Sequence, residues 1–132
     1  MSPEPKQTGV GMIIKVLDGD FSVCQLSAPE GISFADDFLF LGKTDQELSL
    51  VCRSETAPGN TLAREDGWKA FRIEETLDFS LVGVLAELAG LLAGRGISIF
   101  AVSTYATDYI LVKREKFSEA LAALEQAGHG LV

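Results

Sequence analysis

Basic residues are scarce in this chain, 11 Lys and Arg against 19 Asp and Glu, for a formal net charge of −8. A surface that follows nucleic-acid phosphates, or one that settles on an anionic membrane, needs the opposite sign, so neither partner is expected. Histidine is scarcer still. With His129 as the single one, no Ser/His/acid triad, Cys/His pair or His-rich metal cluster can be assembled from sequence neighbours. The two cysteines, Cys24 and Cys52, lie in apolar strand-like runs, "FSVCQL" and "LSLVCR", and read as small buried hydrophobes rather than a disulfide framework or zinc site. Asn60 is the only asparagine and falls in a loop-like stretch, which leaves a phosphate-cradling Arg/Asn loop of the acylphosphatase kind without a candidate. Long hydrophobic runs are missing too. Gly, Ser, Glu or Arg cuts each apolar stretch before the ~20 residues of a bilayer span, and "MSPEPKQTG" has no apolar signal-like core. The expectation is a soluble, cytoplasmic protein without metal or cofactor and without a catalytic kit.

What remains is globular composition, 47% hydrophobic and 23% charged over 132 residues, enough for one ordinary domain or two very small ones sharing a core. In the C-terminal half, "GWKAFRIEETL" (Gly67 to Leu77) alternates as a half-buried strand. Leu81, Leu85, Leu88 and Leu92 then fall on one helical face, with Ser80 as N-cap and Gly94 or Gly96 as stop. Strands from about Ile97 to Ser103 and from about Thr107 to Lys113 are joined too closely for anything but an antiparallel hairpin. A second helix from about Lys116 to Ala127 carries Phe117, Leu121 and Leu124 on one face, and "HGLV" supplies a last short strand. The order βαββαβ gives an α+β, ferredoxin-like plan with both helices on one face of a four-stranded antiparallel sheet. Leu85, Leu88, Leu92, Ile99, Leu111, Leu121 and Leu124 are its expected core.

The N-terminal half reads as an eroded copy. "FLFLGKTDQELSLVC" lays without gaps over "IFAVSTYATDYILVK", matching Glu47 to Asp108. "MIIKVLDGDFSVCQLS" reads as a strand pair turned at "DGD", and "RSETAPGNTLARED" (Arg53 to Asp66) as the loop joining the halves. The expected division is a degenerate unit over 1–65 and a full domain over 66–132, in tandem.

Taken together, "LDFSLVGVLAELAGLLAGRGISIFAVSTYATDYILVKRE", "FSVCQL", "ELSLVC" and "GWKAFRIEETLDFS" resemble the small tandem ACT-domain proteins of bacteria. That group is also similar to the ACT pairs of the eukaryotic arginine sensors of the TOR pathway. The resemblance implies a non-catalytic regulatory sensor that binds a free amino acid. It also implies side-by-side pairing of ACT units, with the ligand at the interface between a strand-to-helix loop and neighbouring strands. A homodimer or higher oligomer and a regulated protein partner follow as expectations, the alternative being a ligand-free interaction module. In the sensors, the glycine of the helix-start motif and the threonine, aromatic residue and aspartate of the hairpin line the pocket. These fall on Gly83 and on Thr104, Tyr105 and Asp108.

The chemistry of such a ligand suits these residues. A helix start at Ser80, Leu81, Val82, Gly83 and Val84 presents unpaired N–H groups to a carboxylate, while Asp108 can meet an ammonium with Thr104 or Thr107 orienting it. The residues alone leave a second reading open, in which Asp108 is a solvated hairpin acid, Ser80 only a cap and Gly83 only a packing glycine. Tyr109 reads as sheet-face packing more than as a ligand contact and Tyr105 as either, Glu74 and Glu75 as surface charge on opposite strand faces, and His129 as a strand residue near the terminus.

Overall fold

The computed structural model describes residues 11–76 and 83–132, with residues 75 and 76 described by their backbone alone. The strands are β1 (Met12–Val16), β2 (Phe21–Leu26), β3 (Leu39–Lys43), β4 (Leu48–Arg53), β5 (Thr61–Thr76), β6 (Ile99–Ser103), β7 (Asp108–Lys113) and β8 (Gly130–Leu131). Two helices, α1 (Val84–Ala93) and α2 (Arg114–Gln126), flank the β6–β7 hairpin in sequence. The chain divides into two compact units, Gly19–Trp68, and the residues up to Asp18 together with Lys69–Val132. The second junction falls inside β5, three residues beyond the expected boundary, and the N-terminal strand β1 belongs with the C-terminal residues.

The unit that holds both helices has the strand order β8-β1-β5-β7-β6. Its core gathers Ile14 of β1, Phe71 and Ile73 of β5, Ile110 and Val112 of β7, Leu88 and Leu92 of α1, and Phe117, Ala120, Ala123 and Leu124 of α2. One sheet face therefore carries both helices, because the alternating apolar positions of three strands meet the apolar stripes of two helices. Of the expected core, Leu88, Leu92, Leu111 and Leu124 are fully buried, and Leu85, Ile99 and Leu121 pack half-buried against the cluster. The sheet departs from a four-stranded plan in one respect. β1 lies between β5 and β8, antiparallel to the first and parallel to the second, where β5 and β8 would otherwise be neighbours.

Both helices end in the same device. After α1 the Gly96 N–H bonds the Ala93 carbonyl at 2.9 Å and the Ile97 N–H bonds the Leu92 carbonyl at 2.9 Å, with Gly96 at φ 74°. After α2 Gly128 (φ 98°) bonds Glu125 at 3.0 Å and His129 bonds Leu124 at 3.1 Å. This is the Schellman turn, which satisfies the last helical carbonyls and requires the left-handed backbone that glycine adopts without strain.

The unit Gly19–Trp68 has the order β3-β4-β2-β5. That is the strand order of a βαββαβ sheet whose two helices have been replaced, the first by the loop after β2 and the second by a single 3-10 turn, Ser54–Thr56. Cys24, Leu26, Leu50 and Cys52 form its buried cluster, capped by Ile32, Leu39 and Ala57. The mixed α+β, ferredoxin-like fold follows from these two strand orders, which share β5.

Three sequence expectations are corrected. "DGD" does not close a hairpin, since β1 and β2 pair with successive stretches of β5 instead of with each other. The stretch expected to be a loop joining the halves becomes strand from Thr61 onward. Residues Leu62 to Asp66 are exposed and show no buried alternation, so they read as loop, yet their backbone is held extended by pairing with β2. The ungapped overlay of the two hairpins is one residue out of register. Lys43 faces Leu48 across one tip and Ser103 faces Asp108 across the other, so Thr44 corresponds to Thr104 and Leu48, not Glu47, to Asp108. A one-residue slip moves every side chain to the other face, and only this register puts Leu50 and Cys52 in the places of the buried Ile110 and Val112.

Candidate functional site

The tip of the β6–β7 hairpin is built by threonines. The Thr104 N–H bonds the Thr107 carbonyl at 2.8 Å, the Thr104 hydroxyl donates to the same carbonyl at 2.8 Å, and the Thr107 N–H returns to the Thr104 Oγ1 at 3.2 Å. The Thr107 hydroxyl then reaches out of the hairpin to donate to the Ile73 carbonyl of β5 at 2.6 Å. It ties the tip to the strand that leads toward α1. Immediately after it stands Asp108, half-buried, accepting a hydrogen bond from the Ser103 hydroxyl across the hairpin at 2.6 Å. Alternation along β7 puts Asp108 on the face of Ile110 and Val112, the face covered by the helices.

Gly83 is the N-cap of α1, at φ 82° with no side-chain cap, and its carbonyl accepts the Glu87 N–H at 2.8 Å. Among the described residues a Cβ built there would meet nothing within 4 Å, while the left-handed backbone at this position itself calls for glycine. Val84 opens the helix and packs on the core from a half-buried position. Strand order and chain direction bring the β6–β7 tip and the start of α1 to the same end of the sheet, the end at which β5 finishes. Ser80, Leu81 and Val82 lie outside the described residues. Tyr105 is fully exposed and is not drawn into the tip. Tyr109 turns to the opposite sheet face, where its hydroxyl accepts a hydrogen bond from Arg72 at 3.3 Å and the guanidinium carbon stands 5.9 Å from its ring centroid. Arg72 in turn pairs with Glu74 at 2.8 Å.

The tip of the β3–β4 hairpin repeats the backbone geometry without the acid. The Thr44 N–H bonds the Glu47 carbonyl at 3.0 Å and its hydroxyl receives the Gln46 and Glu47 N–H groups, but the place of Asp108 is taken by Leu48. Glu47 receives the Ser49 hydroxyl at 2.9 Å from an exposed position. The same unit holds a polar cluster that strand alternation did not reveal. The fully buried Ser22 hydroxyl meets Ser54 at 2.7 Å and donates to Asp66, which pairs with Arg64 at 2.7 Å. Its role is structural, fastening β2, the exit of β4 and β5. Burial pushes the Cys24 thiol above its usual range and the Cys52 thiol up to about 11, which makes both inert rather than nucleophilic. Asn60 spends its side chain on the Ala28 carbonyl at 3.1 Å.

His129, expected as an ordinary strand residue, is buried just before β8. Among the described residues no group of three or more His, Cys, Asp or Glu side chains is arranged to hold a metal ion, and no helix is long and apolar enough to cross a membrane. An open groove of about 500 Å³ lies at the far end of α1, lined by Ala89, Ala93, Gly96, Ile97, Ser98 and Ile99, and includes none of the expected site residues.

Residues 63–126, from β5 through α2, match the model of the ACT domain, and over 92% of both chains the protein is 31% identical, with a TM-score of 0.80, to a solved protein of Agobacterium tumefaciens. Over residues 63–126 the chain is similar to the ACT domain. The ACT match takes in Gly83, Thr104 and Asp108 and leaves out β1 to β4 and β8. Two further likenesses are to the regulatory subunit of aspartate kinase from Thermus thermophilus (TM-score 0.61, 14% identity, 92% of this chain and 99% of that one) and to the aspartate kinase of Clostridium acetobutylicum (TM-score 0.65, 11% identity, 96% of this chain and 38% of that one). At those identities the likeness is one of fold. No curated protein sequence matches the chain.

Proposed function

We propose that the protein binds a free amino acid between the start of α1 and the β6–β7 tip, and works as a non-catalytic regulatory sensor. The observation that carries the reading is the placement of Asp108. It is a half-buried carboxylate on the helix-covered face, held by one serine hydroxyl, at the sheet end where α1 begins. In this reading the ligand ammonium, or a guanidinium, pairs with Asp108 while Thr107 and Thr104 keep the tip in place. The ligand carboxylate takes the first N–H groups of α1, where Gly83 adds no side chain and which Ser80, Leu81 and Val82 precede in sequence. Tyr105 contributes as a fully exposed ring that closes on the ligand from outside.

Copies of the chain pair through β6 in this proposal. β6 is the terminal strand of its unit and carries Ile99, Phe100, Ala101, Val102 and Ser103, with no charge or proline to blunt an edge. The same observation favours a second reading, a ligand-free oligomerisation module. A thermal-shift panel of the common amino acids separates the two, because a ligand at a hundredfold excess over Kd stabilises the fold by about 2.7 kcal/mol, a rise of roughly 10 °C for a chain of this size. Melting unmoved by every amino acid, with a dimer in sedimentation, leaves the module. A strict monomer with and without ligand removes the pairing.

A further inference from the structure

The two Schellman turns differ at one position, and the difference is chemically expensive. The residue after the glycine in this turn is ordinarily apolar, since it packs back on the last turn of its own helix. After α1 that residue is Ile97, 3% exposed. After α2 the same position holds His129, whose side chain is 1% exposed. An imidazole buried in a place suited to an aliphatic chain needs partners for both nitrogens, and it has one. Its Nδ1 accepts the Met12 N–H at 3.2 Å, while among the described residues Nε2 finds no hydrogen-bond partner and lies 3.7 Å from the Glu87 carboxylate. Accepting at Nδ1 fixes the neutral ring as the tautomer with its proton on Nε2.

We propose that His129 is a proton-operated latch which, while neutral, fastens the first residue of β1 to the α2–β8 corner and, once protonated, lets it go. The mechanism is one of donors and acceptors. A second proton can only go to Nδ1, and an Nδ1–H faces the Met12 N–H donor to donor, so the hydrogen bond that holds β1 is lost. The imidazolium gains an attraction to Glu87, which sits in the first turn of α1 with its N–H on Gly83. Among the described residues Glu87 is the charged side chain that acts on the ring. β1 presents the Met12 N–H to the ring, and α2 holds the residue by its backbone, the Leu124 carbonyl accepting the His129 N–H. Burial lowers the affinity of the ring for that proton and Glu87 offsets part of the effect. The folded state therefore binds fewer protons than the opened one, and the latch weakens as pH falls below the usual histidine range. This coupling stands whether or not a ligand binds at the start of α1.

The test is amide hydrogen exchange of Met12 read by NMR on the full chain from about pH 8 down to about pH 5, alongside the titration of the His129 ring carbon. The expected result is a Met12 protection factor that falls with acid, by up to about tenfold per pH unit, in step with the ring. His129→Gln offers a carbonyl to Met12 and an amide to Glu87 but does not titrate, so its Met12 protection should be flat over the same range. If that variant fails to fold, Glu87→Gln replaces it. Removing the carboxylate should shift both the ring titration and the loss of Met12 protection to lower pH together. Met12 protection that ignores a titrating ring, acid sensitivity that persists in His129→Gln, or a ring midpoint unmoved in Glu87→Gln would each overturn the latch.

Discussion

Replacing Asp108 by Asn tests the proposed ligand site while leaving the hairpin almost untouched. Among the described residues the carboxylate accepts one hydrogen bond, from Ser103 at 2.6 Å, and an asparagine carbonyl accepts the same one. The fold should therefore lose no more than about 0.5 to 1 kcal/mol. Binding should lose more. A hydrogen bond to a charged group contributes about 1.5 to 3 kcal/mol and a neutral one about 0.5 to 1.5 kcal/mol. Because Asp108 is half-buried, the pair is only partly screened, and the difference to expect is about 1 to 2 kcal/mol, a rise in Kd of roughly 5- to 30-fold. Isothermal titration calorimetry with the amino acid found by the thermal panel, at fixed ionic strength, measures it. Glu47→Gln is the control, since Glu47 stands in the other hairpin and off the corresponding position, and its affinity should equal that of the unaltered protein. Unchanged affinity in Asp108→Asn refutes the ammonium contact. A drop of more than about 5 °C in the melting temperature of the ligand-free variant would instead assign the carboxylate a structural role.

Gly83→Val should destabilise the ligand-free protein by about 1 to 2 kcal/mol in urea titration through its φ of 82°, since no atom of the described residues lies within 4 Å of the added Cβ, and should abolish amino-acid binding. Melting equal to that of the unaltered protein would show that the cap rearranges freely. Thr107→Val keeps the shape of the side chain but leaves the Ile73 carbonyl without its 2.6 Å partner, a cost of about 1 to 2 kcal/mol that should appear as faster amide exchange at the hairpin tip. With burial holding the Cys52 thiol at about 11 and the Cys24 thiol also above its usual value, iodoacetamide at neutral pH should label neither in the folded protein and both in denaturant. Rapid labelling of the native chain, followed by mass spectrometry, would contradict the burial.

What the sequence determined by itself is the local grammar of the larger unit. Leucines spaced to one face made α1 and α2 legible, and alternation around a short polar tip made the β6–β7 hairpin legible, because each pattern is set by residues a few positions apart. The chemistry of Gly83, Thr104, Thr107 and Asp108 could be named as a set, though only the fold brings the tip and the start of α1 to one end of a sheet. The tertiary structure alone decided which strands are neighbours. β1 carries an apolar pattern that would serve beside any strand, and its insertion between β5 and β8 depends on partners about sixty and more than a hundred residues away. The extended start of β5 was invisible for the converse reason, since an exposed strand held by backbone hydrogen bonds leaves no side-chain alternation to read. The hairpin register was settled by which face of β4 meets a core, a choice in which Leu50 and Cys52 outweigh the apparent match of two acids. His129 shows the difference most plainly: the sequence reads it as a strand residue near the terminus, and only the close of α2 turns the imidazole inward, where burial gives its one proton a structural consequence.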